Sequence, residues 1–134
     1  MIKGVNHIGI LVKDLDRAIK FYQVSFHAKL DKVEEMPERG LKLAVLSWAD
    51  DGKLELLELL PDSNLAELLG RGEGFSHVAL EVDNIEQECQ RLSRSGMELS
   101  SIKPSRGVEG MYVFLRPEST EGVRIELLEP YAEG

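Results

Sequence analysis

The sequence predicts an α+β fold made of two tandem βαβββ modules, and three observations carry the prediction. A strand-like run opening on a histidine occurs twice, as His7 followed by Ile-Gly-Ile-Leu-Val and as His77 followed by Val-Ala-Leu-Glu-Val. A glutamate-bearing run also occurs twice, Leu-Glu-Leu-Leu-Glu over 54–58 and Ile-Glu-Leu-Leu-Glu over 125–129. The two histidines stand 70 residues apart and Glu55 stands 71 residues before Glu126, so one duplication relates both pairs. The stretch after each histidine run repeats as well, Val-Lys-Asp-Leu-Asp over 12–16 against Val-Asp-Asn-Ile-Glu over 82–86.

Each element has a local reason. Residues 4–12 read as a strand from their apolar, β-branched run. Asp14 or Asp16 caps a following helix with Leu15, Ile19, Tyr22 and Phe26 at helical spacing. That helix stops near His27, where a left-handed turn is needed and histidine tolerates it better than most residues. A strand over 29–35 leads to the Pro37-Glu-Arg-Gly40 turn and a strand over 41–48. Asp50-Asp51-Gly52 offers a tight hairpin into a strand over 53–60, because Asp-Gly supplies the positive φ such turns need. Residues 61–74 join the halves and hold a short helix over 64–69, capped by Asp62 or Ser63. The second module repeats the order: strand 75–82, helix 84–95 ending at Gly96 as a left-handed cap, then strands over 97–102, 110–116 and 122–128. The boundaries are module 1 at about 1–60, the linker at about 61–74 and module 2 at about 75–134, forming a single domain without low-complexity sequence.

Composition narrows the class of function. A chain of 134 residues with 43% apolar and 30% charged residues suits one soluble domain with a sizeable core. No apolar run nears the ~20 residues needed to cross a bilayer, and the first residues do not resemble a secretory signal. The single cysteine, Cys89, reads as a packed hydrophobe rather than a nucleophile. The cytoplasm is the expected location. A net charge of −8 argues against nucleic acid as a partner, and it requires that any anionic substrate be met by a local basic cluster.

Strand alternation assigns the faces. Ile8, Ile10 and Val12 share the side that packs under a helix, as do Val78, Leu80 and Val82. The opposite side carries His7, Gly9 and Leu11, and in the second module His77, Ala79 and Glu81. A very small residue follows each histidine by two positions and leaves room beside the imidazole. Glu55 and Glu126 point away from their apolar neighbours, so all four polar residues can line one concave face. A lone strand histidine is more often a satisfied core residue, but burying two unpartnered carboxylates costs several kcal/mol each, and the duplication keeps both. A shared divalent cation, Zn²⁺, Co²⁺ or Ni²⁺, at one per chain resolves that electrostatics with His7, Glu55, His77 and Glu126 as ligands. Glu58 and Glu129 fall on the other face as solvated or structural groups, and Glu34, Glu35, Glu86 and Glu88 read as surface charge.

These residues resemble the vicinal oxygen chelate superfamily, whose paired βαβββ modules form an open, barrel-like metal-binding trough. Within it the chain is similar over nearly its whole length to the methylmalonyl-CoA epimerases. The similarity runs through the His7 strand with Ala18-Ile-Lys-Phe-Tyr22, Pro37-Glu-Arg-Gly40, Lys53 to Glu58, Asp62-Ser63 and Gly72 to His77. It is most specific in Phe114-Leu-Arg-Pro-Glu-Ser-Thr-Glu-Gly-Val-Arg-Ile-Glu-Leu127. The chain departs from the pattern at Ser76, where a second histidine is common, at Gly107-Val-Glu-Gly110, at His27, and at Leu41-Lys-Leu43, where some epimerases carry a candidate base. The resemblance implies a homodimer and a metal-dependent epimerase of an acyl-CoA thioester. A proton leaves C2 and returns to the other face, through an enolate stabilised by the metal acting as a Lewis acid. Glu126 is the first choice of catalytic base and Glu55 the second. The same tetrad would serve a lactoylglutathione lyase, and a non-enzymatic small-molecule-binding member is the remaining alternative; a ring-cleaving dioxygenase would want one carboxylate fewer. Lys103, Arg106 and the Gly107–Gly110 loop are the candidate contacts to an anionic substrate.

Overall fold

The computed structural model describes residues 1–50 and 52–132. In chain order, β1 (Ile2–Leu11), α1 (Leu15–Phe26), β2 (Lys29–Met36), β3 (Leu41–Ser47) and β4 (Lys53–Leu59) form the first βαβββ series. A short α2 (Ala66–Leu69) comes next, and then β5 (Gly74–Val82), α3 (Ile85–Arg94), β6 (Ser105–Arg106), β7 (Gly110–Leu115) and β8 (Ile125–Pro130) form the second. No helix among the described residues is long and apolar enough to cross a membrane.

The chain divides into two compact units, residues 7–76 in one and residues 1–6 with the segment from His77 onward in the other. In the first unit the strands lie in the order β2-β3-β4-β1, with β1 parallel to β4 and the other pairs antiparallel. The core beneath the sheet holds Leu15, Ile19, Ala28, Ala44, Leu46 and Leu56, with Ile10 and Val12 packed against it. In the second unit the order is β5-β8-β7-β6, with β5 parallel to β8 and the rest antiparallel. Its core comprises Val82, Ile85, Cys89, Leu92, Val113, Leu115 and Leu127. Burial pushes the Cys89 thiol pKa up, in keeping with a packed rather than a reactive thiol.

Matched devices start both long helices. Asp14 accepts from the Arg17 N–H and Asn84 from the Gln87 N–H, each at 3.1 Å. In addition, Glu58 on β4 accepts from Leu15 N–H at 2.8 Å, and Glu129 on β8 accepts from Ile85 N–H at 2.9 Å. The first N–H groups of a helix have no partner within it, so each strand supplies the acceptor the helix lacks. These glutamates are therefore structural, as one of the two readings of the sequence has it. His27 closes α1 at φ 56°, ψ 34°, and Gly96 follows α3 at φ 97°.

Four expectations need correction. The strand expected over 97–102 is reduced to an isolated bridge between Leu99 and Leu115. Ser100 causes this: its backbone N–H donates to Phe114 O, but its hydroxyl, not its carbonyl, accepts from Phe114 N–H. Pro104, with no N–H to give, follows, and pairing resumes only at β6. The linker helix starts later than expected, at Ala66, with Leu65 at its N-cap position and no side-chain cap; Ser63 accepts from Leu65 N–H in the turn that precedes it. The first six residues group with the second unit because Met1 O accepts from Asp83 N–H and Asn6 donates to Glu81. Glu88 is not surface charge: it is 5% exposed and takes hydrogen bonds from Arg91 and from the Met1 α-amino group. In the 50–52 hairpin, Asp50 accepts from Gly52 N–H, while Asp51 lies outside the described residues.

The hydrogen bond from the Arg91 guanidinium, and then that from the α-ammonium, hold the Glu88 carboxyl below its ordinary value of 4.5. A depressed folded-state pKa contributes stability in full above the unfolded value and loses it as pH falls through the folded one. Glu88→Gln should therefore lower stability by about 1–2 kcal/mol at pH 7. Thermal melts of both proteins should converge as pH drops below about 4; a gap independent of pH would contradict this assignment.

Candidate metal centre

In each unit the parallel pair of strands places a histidine and a glutamate together in the same way. β1 runs beside β4 with Gly9 opposite Glu55, and β5 beside β8 with Ala79 opposite Glu126. Partners in register share a face, so each glutamate side chain rises over the small residue two positions after its histidine. Gly9 has no Cβ and Ala79 is fully buried, and the space they leave lets each carboxylate lean along the strand toward its imidazole. Two residues along a strand span roughly 6.6 Å, a reach that a glutamate side chain can close.

The resulting distances are nearly equal. His7 Nε2 lies 3.6 Å from Glu55 Oε1, and His77 Nε2 lies 3.5 Å from Glu126 Oε1. Both exceed the ~2.7–3.2 Å of a direct N–H···O bond. They match the about 3.4 Å separation of two donors held by one tetrahedral ion with bonds of about 2.0–2.2 Å. His7, His77 and Glu126 are buried, and the Glu55 side chain is only 12% exposed. The ring of His77 is oriented by an edge contact with Phe114 at 5.2 Å between centroids. Each His–Glu pair therefore has the donors, the burial and the spacing that suit a divalent cation.

The surroundings explain several departures noted in the sequence. Ser76 is fully buried, and its hydroxyl donates to Leu69 O at 2.6 Å, so it ties the end of α2 to β5. On β3 the residues sharing the face of Glu55 are Leu41, Leu43 and Val45, all buried, and none of them titrates. Sequence reading missed Lys32: a register shift between Leu30 and Lys32 pairs Lys32 with Val45, and such a bulge re-aims a side chain. It is half-buried on the face of Glu55.

The loop from Lys103 to Gly110 is more structural than its sequence suggests. Gly107 N–H donates to Gly110 O at 2.9 Å, so that amide is committed within the hairpin. A Cβ on Gly107 would meet the Tyr112 ring at 2.8 Å, and one on Gly110 would meet Glu129 O at 2.2 Å. Close packing is thus sufficient reason for both glycines. Arg106 stacks over the Tyr131 ring at 5.0 Å, and the Tyr131 hydroxyl donates to Gly107 O. Lys103 and Arg106 are both exposed.

The chain belongs to the glyoxalase/bleomycin resistance protein/dioxygenase superfamily, whose family model matches residues 4–127. It is 32% identical over 127 residues to the mitochondrial methylmalonyl-CoA epimerase of Mus musculus, an alignment spanning 92% of this chain and 71% of the mouse protein. The solved methylmalonyl-CoA epimerase of Mycobacterium tuberculosis superposes with a TM-score of 0.89 at 31% identity, over 98% of this chain and 90% of that one. A methylmalonyl-CoA epimerase solved in complex with methylmalonyl-CoA and NH₄⁺ superposes at 0.82 with 28% identity, over 98% of this chain and 97% of that one. Lactoylglutathione lyase of Salmonella typhimurium is 30% identical over 124 residues, spanning 92% of this chain and 90% of that protein. These similarities indicate an enzyme of the isomerase type.

The space over Ala79 can be tested directly. Ala79→Val overfills a fully buried position, at about 1–3 kcal/mol of stability, and pushes the Glu126 carboxylate off its approach to His77. Divalent-metal affinity should fall in Ala79→Val and stay near wild type in Ala79→Gly, as read by competition with a metallochromic chelator. Unchanged affinity in Ala79→Val would show that the small residue is not what seats Glu126.

Proposed function

We propose that this protein is a metal-dependent epimerase that interconverts the C2 epimers of methylmalonyl-CoA. The observation that carries the reading is the His–Glu pair formed at the same register in each unit, His7 with Glu55 and His77 with Glu126. In this reading the two modules contribute to one trough, and the four side chains hold about one divalent ion, Co²⁺, Zn²⁺ or Ni²⁺, two imidazoles and two carboxylates being a suitable donor set. When bound, such a cation supplies Lewis-acid stabilisation of negative charge developing on the thioester oxygen.

The chain's own residues do the rest. Glu126, as the carboxylate, takes the C2 proton from one face, and Glu55, carrying a proton as the carboxylic acid, gives one to the other. The pair thus exchanges protonation states in one turnover and serves the reverse direction with the roles swapped. The second role falls to Glu55 because its face of β3 offers only Leu41, Leu43 and Val45. Phe114, edge-on to His77, keeps the imidazole in place and helps exclude water. Lys103 and Arg106 are the exposed cations available to the anionic parts of the substrate, with Gly107 and Gly110 shaping the hairpin that presents Arg106. A cytoplasmic homodimer completes the reading. The second reading, a lactoylglutathione lyase acting on a hemithioacetal, is favoured by the Salmonella relative and uses the same four side chains.

Incubation with methylmalonyl-CoA in D₂O should place deuterium at C2, and the hemithioacetal of methylglyoxal and glutathione should be turned over poorly; the reverse pattern makes the lyase reading the right one. Glu126→Gln should lower exchange by about 10²–10⁴-fold while keeping more of its metal than its activity. His77→Ala should lower metal content itself. Equal metal in wild type and His77→Ala by elemental analysis would remove His77 from the ligand set.

A further inference from the structure

Arg124 precedes β8, and its carbonyl accepts a hydrogen bond from Val78 N–H at 3.1 Å. Because Val78 pairs with Ile125 and Ala79 with Glu126, the same parallel register sets Arg124 beside His77. Ile125 packs against the core under α3, so alternation turns Arg124 to the opposite face, the one bearing Glu126 and His77. The residue is half-buried, and its Nε is shut off from solvent with no hydrogen-bond partner among the described residues. A charged N–H withdrawn from water in this way costs free energy that an incoming anion would recover.

We infer that Arg124 recognises the free carboxylate of the acyl group and makes the protein selective for 2-carboxyacyl thioesters, an inference that rests on the epimerase reading. A planar guanidinium matches a carboxylate with two parallel hydrogen bonds. Its place, two residues from Glu126, is at the reacting carbon rather than a pantetheine arm away, where the nucleotide phosphates lie. A net charge of −8 repels anions at long range, so recognition depends on a cation in direct contact. A hemithioacetal carries no carboxylate at its reacting carbon and would leave Arg124 unanswered.

The test is calorimetric titration of the metal-loaded protein with methylmalonyl-CoA and with propionyl-CoA, which lacks the carboxylate. Wild type should prefer the carboxylated ligand. Arg124→Gln should weaken methylmalonyl-CoA by about 10–100-fold and leave propionyl-CoA within about twofold. Should that variant not fold, Arg124→Lys decides, because it keeps the charge without the fork and should lose about tenfold on methylmalonyl-CoA alone. No preference in wild type, an intact preference in Arg124→Gln, or equal losses on both ligands would overturn the inference. Deuterium exchange by wild type is a separate readout: its absence ends the epimerase reading, whichever way the binding preference falls.

Discussion

The arrangement depends on how a buried carboxylate is kept beside an imidazole inside a sheet. A strand that turns a glutamate into the interior exposes the fold to a large desolvation cost, and the parallel register decides where that charge can go. With Gly9 opposite Glu55 and Ala79 opposite Glu126, each carboxylate lies within 3.6 Å of its histidine over a residue too small to obstruct it. The apolar residues on the far side of the same strands, Leu56 and Leu127 among them, are fully buried and hold the register against slippage. Packing on one face is thereby converted into placement of charge on the other.

Glu58 and Glu129 join the same strands to the helices. Each sits three residues beyond a site glutamate and turns to the opposite face, where it satisfies the first N–H of a helix. The short run, Leu-Glu-Leu-Leu-Glu or Ile-Glu-Leu-Leu-Glu, therefore has one carboxylate beside a histidine and one for the scaffold. The helix cannot drift from the sheet without leaving both that N–H and that carboxylate unpaired.

Much of this was legible in the sequence because it was written twice. The duplication displayed the βαβββ order, the two His–Glu pairs and the small residue after each histidine. The features that escaped depend on events without a periodic signature. Lys32 reaches the face of Glu55 through a bulge, which simple alternation cannot anticipate. The expected strand over 97–102 gave way because the Ser100 hydroxyl substitutes for a backbone acceptor, a choice that apolar patterning does not reveal. Glu88 looked like solvated helix charge because its partnership with the Met1 amino group spans most of the chain. Arg124 was within reach, since it shares parity with Glu126, but it lies just before the strand proper and passes for part of a turn.

The opposed facing of Glu55 and Glu58, and of Glu126 and Glu129, bears on how such a chain can change length. A single residue gained or lost between the two glutamates of a run would turn both to one side, forfeiting either the carboxylate beside the histidine or the helix anchor. These two five-residue stretches are therefore length-locked, although most of their side chains are interchangeable aliphatics. The connection over 61–73 carries no such parity and can absorb insertions, so divergence within this architecture should accumulate as altered linkers around two segments of invariant length.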